Sequence, residues 1–209
     1  MSRVAGRPLA GQTITPAHLD AVAAAINRLH AAVPADILVT VRPQPWLAAG
    51  AVNRMKSSVA AVERPVDVDP VVRRAFDAAV HWLDHVAEPD PGALRPVFGQ
   101  GDGNLANYLW DGHRVRLVDF EDSGRSDRAF ELAAFAEHLS VWHDARVETG
   151  PLLGRFELTS AEAARVLFFR RAFGFFWLLK LLGARDDRLS VLQSQAFRLL
   201  VMLDTRRAS

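Results

Sequence analysis

Residues 97–131 read VFGQGDGNLANYLWDGHRVRLVDFEDSGRSDRAFE, the stretch where turn chemistry, strand pattern and carboxylates converge. An acid bracketed by glycines, Gly101-Asp102-Gly103, precedes the amide Asn107. Two apolar-rich runs, Asn107 to Trp110 and His113 to Phe120, flank Asp111-Gly112, the dipeptide that signals a two-residue type I′ hairpin. Such a turn pairs Trp110 with His113 and puts Asp119 opposite Asn104, inside the loop that holds Asp102. The hairpin therefore gathers Asp102, Asn107 and Asp119 at its open end, which their distance in sequence hides.

Working outward, the stretch sits in a chain with helical patterning. Residues 1–14 are an irregular, hinge-like entry containing Gly6, Pro8 and Gly11. Thr15 can cap a helix whose first position is Pro16 and whose stripe is Leu19, Val22, Ile26 and Leu29. Ile37 to Val41 is a short β-branched piece, RPQP (42–45) a turning loop, and Trp46 to Val62 a second helix made less regular by Gly50. Asp69-Pro70 repeats the cap-then-proline start, with Val72, Phe76, Ala79, Val80, Leu83 and Val86 along one face. A short strand, Pro96 to Phe98, leads into the acid-bearing loop. Beyond the hairpin come the polar loop EDSGRSDR (121–128), a helix from Ala129 to about His143, a helix capped at Thr159 or Ser160 running to Leu182, and a last helix from about Arg188 to Asp204. The expected fold is mainly α with one small β-hairpin, and residues 15–209 form one helical lobe with its loop and hairpin at 97–122.

The 209 residues are half apolar, enough for a sizeable core. A formal net charge of +1 supplies no field for a nucleic acid or an anionic membrane, so neither is an expected partner. Only Lys56 and Lys180 are lysines, and there is no cysteine, which removes thiol nucleophiles, disulfides and Cys-based metal sites. The apolar run Val166 to Leu182 is interrupted by Arg170, Arg171 and Lys180 and falls short of the roughly 20 residues that span a bilayer. The N-terminus has no apolar core of signal-peptide length, so a cytoplasmic location is expected.

Phosphoryl transfer asks a protein for a placed acceptor hydroxyl and for cations across the nucleotide phosphates. Asp102 can accept a hydrogen bond from that hydroxyl, while Asn107 and Asp119 offer the hard oxygens that Mg2+ prefers. Gly101 and Gly103 permit backbone conformations that a Cβ would oppose. Glu121 and Asp122 can face a cationic substrate or solvent. His30, His138 and His143 lie near apolar neighbours, where a satisfied, partly buried ring is the expected reading. His138 and His143 are five residues apart, not the i, i+4 of a helical metal pair. Trp142, Trp177 and the phenylalanines 168, 169, 173, 175 and 176 read as core. Arg170 and Arg171 are expected to reach outward.

QGDGNLAN (100–107) followed by LVDFE (117–121) resembles the catalytic loop and metal-binding segment of the aminoglycoside phosphotransferase and choline kinase family. The usual family form is His-Gly-Asp, four residues, Asn, then a hairpin ending apolar-Ile/Val-Asp-aromatic-Glu. The resemblance implies a protein-kinase-like α+β fold, Asp102 as the catalytic acid, and Asn107 and Asp119 as ligands of Mg2+ on ATP or another nucleoside triphosphate. GRSDRAFELA (124–133) is similar to the family's Gly-x-x-Asp-x-x-x-Asp/Glu-Leu-Ala, implying Asp127 as a helix cap and Glu131 as a brace for the loop. RPLAGQTITPAHLDAVAAAINRLHA (7–31) is similar to the segment after the family's interlobe hinge, and FRRAFGFFWLLKLLG (169–183) to its late helix.

Two departures stand out. Gln100 replaces the motif's His, a residue that supports the loop together with Gly101. The family's N-terminal β-lobe, with its ATP-clamping Lys, has no counterpart here, and Lys56 does not match it. The expectation is the C-terminal lobe of an ATP-dependent small-molecule O-phosphotransferase, weak or inactive alone, whose partners are a hydroxyl acceptor and an upstream β-lobe. The rival expectation is a non-catalytic, pseudokinase-like fragment that binds without transferring. Acids able to line a pocket for a polycation are Glu121, Asp122, Glu137, Asp144, Asp186 and Asp187.

Overall fold

A computed structural model describes residues 4–48, 50–87, 89, 95–184 and 189–204. Among these, helices dominate: α1 (Pro16–His30), α2 (Ala35–Leu38), α3 (Pro45–Ala48), α4 (Ala51–Ala60), α5 (Pro70–His85), α6 (Arg128–Glu137), α7 (Thr149–Leu153), α8 (Ser160–Leu182) and α9 (Leu189–Asp204). The strands are β1 (Arg7–Pro8), β2 (Pro96–Gly99), β3 (Tyr108–Trp110), β4 (Val115–Leu117) and β5 (Gly124–Asp127). They form two small antiparallel sheets, ordered β1-β3-β4 and β2-β5. No helix among the described residues is long and apolar enough to cross a membrane.

The long helices start where their caps dictate. Thr15 and Asp69 each cap a helix opening on proline, and Thr159 forms a reciprocal capping box with Glu162 at the head of α8. α8 is buried on most sides and is the core's axis. Phe130 of α6 meets Phe169 and Phe173 of α8 at centroid distances of 5.4 and 5.1 Å, and Phe175 meets Phe76 of α5 at 5.8 Å. Each such ring contributes about 1.5–3 kcal/mol by leaving water. Two charge clusters lock the α6 ends onto this axis. At the head, Arg165 of α8 reaches Asp127 Oδ2 through Nε (2.9 Å) and Nη2 (2.6 Å). At the tail, buried Glu137 pairs with Arg170 of α8 at 2.6 Å and Arg198 of α9 at 2.8 Å. Arg170 thus turns to an acid rather than to solvent, and Arg171 Nε donates to the Met202 carbonyl at 2.8 Å.

Local expectations needed correction at several points. Ile37 to Val41 is not extended: α2 occupies 35–38 because Pro34 accepts at its head from Ile37 and Leu38 N–H groups. The helix expected over 46–62 is two pieces, α3 and α4, separated where Gly50 takes φ 77°. The helix after the hairpin stops at Glu137, and Ser140–Asp144 forms a separate wide turn. The "irregular" entry contributes β1, which pairs Arg7 with Trp110 and Pro8 with Leu109. The polar loop 121–128 contains β5, a strand with no apolar alternation to announce it. Arg188, the expected start of the last helix, lies outside the described residues.

Candidate active site

The acid-bearing loop rests on the β2–β5 ribbon, in which Gly99 faces Gly124 and Val97 faces Ser126. Residues 42–44 extend it: Arg125 N–H donates to the Arg42 carbonyl, and Gln44 N–H to that of Arg125, both at 2.8 Å. At the end of β2 the chain turns through Gly101 at φ +79°, where a Cβ would lie 2.5 Å from the Asp122 carbonyl oxygen. Only glycine fits both the conformation and the approach. Glu131, in the first turn of α6, accepts the Gly101 N–H at 3.1 Å and the Ser126 hydroxyl at 2.6 Å. Burial pushes its carboxyl above the ordinary glutamate range, against the hydrogen bonds from Ser126, Gly101 and Gln100 that favour the ion. Asp127 caps α6 by accepting the Ala129 N–H at 3.1 Å. A Cβ on Gly103 would sit 2.6 Å from Phe135 Cα, so the loop's backbone lies directly against α6.

Asp102 projects from this anchored loop with its side chain 34% exposed. Its Oδ1 accepts the Asn104 N–H at 3.0 Å and its Oδ2 accepts from Asn107 Nδ2 at 2.8 Å. That second bond commits the amide nitrogen of Asn107 and leaves its Oδ1 as the free donor atom. The main chain of Asn107 accepts the Val118 N–H at 3.0 Å, joining the loop to the residue before Asp119. Buried Gln100 closes the arrangement, donating from Nε2 to the Val118 carbonyl at 2.6 Å and lying 3.3 Å from that of Asp119. Asp119 itself is exposed and adopts φ 63°. Aspartate tolerates this left-handed conformation better than most residues, and here it ends β4 abruptly.

The hairpin register differs from expectation by two residues. Trp110 pairs with Val115, not His113, because residues 111–114 form a four-residue connection. Asp111 drives the difference: its Oδ1 accepts the N–H groups of both His113 and Arg114 at 3.0 Å, which holds its carboxyl down to about 2. A side chain that caps its own turn this way competes with the type I′ geometry. Since the slip is even, every side chain keeps its face. Val118, rather than a residue nearer the turn, now meets Asn107.

Glu121 and Asp122 are exposed, and their contacts are through main-chain carbonyls: Glu121 accepts from Arg42 at 2.7 Å and Asp122 crowds Gly101. Glu137 is excluded from a polycation pocket by its burial between two arginines. Asp186 and Asp187 lie outside the described residues. No group of three or more His, Cys, Asp or Glu side chains able to hold a metal occurs among the described residues. The donor set nonetheless suits Mg2+, which takes one or two protein oxygens, waters and substrate phosphates rather than an all-protein cage. Asn107 Oδ1 and the Asp119 carboxylate are such oxygens.

Sequence reading missed the layer beneath Asp102. His138 Nε2 lies 3.8 Å from Asp102 Oδ1, and Ser140 Oγ accepts the Leu105 N–H at 2.9 Å. The only sequence signal is a Ser two residues after a His, which is too common to single out.

The body is mainly helical and carries the acid-bearing loop, a short hairpin and two small antiparallel sheets. The chain belongs to the phosphotransferase enzyme family, whose model matches residues 1–169. No curated protein sequence matches significantly. Among solved structures, a choline/ethanolamine kinase family protein from Mesorhizobium loti is similar with a TM-score of 0.59 at 18% identity, over 93% of this chain and 68% of that one. A choline kinase from Streptococcus pneumoniae gives 0.51 at 15%, over 90% and 63%. An AMP-bound spectinomycin phosphotransferase gives 0.56 at 12%, over 98% and 71%. These likenesses are of fold.

Proposed function

We propose that this chain is the catalytic, acceptor-binding lobe of an ATP-dependent small-molecule O-phosphotransferase. The observation that carries the reading is the Asn107–Asp102 hydrogen bond, which splits two roles between adjacent side chains: an oriented carboxylate, and an amide oxygen turned free for a cation. Asp102 accepts the hydrogen bond of the acceptor hydroxyl and aligns its oxygen for attack on the γ-phosphorus, taking the proton as the new P–O bond forms and the bond to the β,γ-bridging oxygen breaks, its electron pair leaving with ADP. Asn107 Oδ1 and the Asp119 carboxylate hold Mg2+. When bound, that ion offsets charge on the nucleotide's phosphate oxygens. Gln100 fixes the backbone of 118–119 and Glu131 fixes that of 101, so loop and hairpin keep one relative placement.

Residues 1–14 act on this reading as the hinge-like entry and 15–209 as the lobe. The chain spans 63–71% of the length of the neighbours cited above. The chain as it stands transfers little phosphate, and protein including any in-frame sequence upstream of Met1 transfers it efficiently. The test is transfer from γ-labelled ATP to a panel of hydroxylated acceptors, cationic and neutral, by both forms and by Asp102→Ala. Loss of transfer in Asp102→Ala supports the reading. Unchanged transfer in that variant removes Asp102 from its role, and nucleotide binding with no transfer by any form favours a binding module.

A further inference from the structure

Half-buried beside the candidate catalytic loop, one ring has its two nitrogens given different tasks. His138 follows Glu137 at the end of α6 and takes an extended conformation, φ −65° and ψ 137°. Its Nδ1 accepts the Ser140 N–H at 3.1 Å and lies 2.8 Å from Ser140 Oγ. That hydroxyl accepts the Leu105 N–H at 2.9 Å, and because the Ser140 N–H already requires a lone pair on Nδ1, the hydroxyl proton points to the same nitrogen. With Nδ1 an acceptor on both counts, the neutral ring carries its proton on Nε2, the nitrogen facing Asp102 Oδ1. Trp177 meets the ring edge-on, at 5.0 Å and 87°, and limits its rotation.

Resting on the functional reading above, we propose that His138 is a positioning residue for Asp102, presenting Nε2–H to the carboxylate while Ser140 fixes the tautomer. The other two donors on Asp102, the Asn104 N–H and Asn107 Nδ2, come from its own loop. Among the described residues, His138 is the side chain of the helical body recorded within 4 Å of the carboxylate. The 3.8 Å separation exceeds a hydrogen bond by about 1 Å, a gap of the size that closes when a substrate tightens an active site. The ring is not a proton relay: Nε2 already bears a proton and Nδ1 has no lone pair to spare. The charged groups facing it are Asp102 and Asp144, which favour its cation, but burial outweighs both and holds it below its ordinary value, so the donor at neutral pH is the uncharged ring.

The experiment has two arms, run on protein with any in-frame upstream sequence included. In the first, 15N NMR of the imidazoles is expected to show His138 as the Nε2–H tautomer at pH 7, with its resonance moved by Asp102→Asn and the tautomer kept in Ser140→Ala, whose main-chain N–H still donates to Nδ1. An Nδ1–H tautomer, or no response to Asp102→Asn, overturns the proposal whether or not the protein transfers phosphate. In the second, His138→Gln keeps an amide N–H near the Nε2 position, while His138→Asn and His138→Ala do not reach Asp102. Turnover should fall about 10- to 100-fold in the Ala and Asn variants, the rate equivalent of one hydrogen bond to a charged group. The KM for ATP should stay within about twofold, and Gln should recover at least tenfold of the loss. Gln as slow as Ala in equally folded protein overturns the positioning role. Absence of transfer in the unsubstituted protein counts against the functional reading, and the NMR arm still decides this one.

Discussion

Gln100 Nε2 donates to the carbonyl of Val118 at 2.6 Å, so the residue standing where the family motif has His is the strut between the acid-bearing loop and the end of the hairpin. Its Oε1 is buried without a partner among the described residues. Gln100→Leu leaves the Val118 carbonyl unsatisfied and should cost about 1–3 kcal/mol by urea denaturation. Gln100→His restores a donor and discards the unpaired oxygen, so its stability should match or exceed that of the original. A Leu variant as stable as the parent would show that the strut carries no load.

Glu137 holds Arg170 and Arg198 from a fully buried position. Replacing it by Leu leaves both guanidinium groups without their carboxylate, and because each is about a fifth exposed and Arg198 keeps the Thr149 hydroxyl, the loss should fall near the low end for broken buried pairs, about 3 kcal/mol. Glu137→Gln, which keeps the acceptor oxygen, should lose less. Equal loss in both variants would show that the lost charge alone, and not the acceptor oxygen, sets the cost.

His30 gives the fold a pH dependence of known sign. Burial, with Arg128 and Arg95 nearby, lowers its pKa from 6.5 to about 4. Between those values the unfolded chain binds more protons than the folded one, so this residue's contribution to stability is lost as pH falls from 6.5 toward 4. His30→Gln should remove that component. The stability difference between variant and parent should therefore shift in the variant's favour as pH drops through this window, and a pH-independent difference would contradict the burial argument.

The helix caps, the acid-bearing loop and the hairpin were legible because each rests on local chemistry: Thr15-Pro16, Asp69-Pro70 and Thr159-Glu162 satisfy their own helix ends, and Gly101-Asp102-Gly103 sets its own turn. What escaped depends on partners distant in sequence. β5 becomes a strand because Pro96–Gly99 and Arg42–Gln44 supply its hydrogen bonds, and nothing in GRSD itself asks for one. His138 reads as an ordinary half-buried ring until α6 sets it under a loop thirty-six positions earlier. The two-residue hairpin turn failed for a local reason that was visible but outweighed, since the acid of Asp-Gly also caps the two amides beyond it.

That competition is testable directly. Asp111→Ala removes the acceptor for the His113 and Arg114 N–H groups. Amide exchange at both positions should accelerate while exchange in α5 and α8 stays unchanged. Protection at 113 and 114 that survives the substitution would mean that the four-residue connection is set by strand pairing alone.

The central claim divides labour among three side chains: Asp102 orients the hydroxyl, and Asn107 and Asp119 hold the metal. The most direct measurement is the affinity for ADP with and without Mg2+, in protein carrying any in-frame upstream sequence. Mg2+ should tighten binding in the unsubstituted protein and equally in Asp102→Asn, and the gain should disappear in Asp119→Asn. A metal effect that persists in Asp119→Asn and vanishes in Asp102→Asn would contradict the assignment.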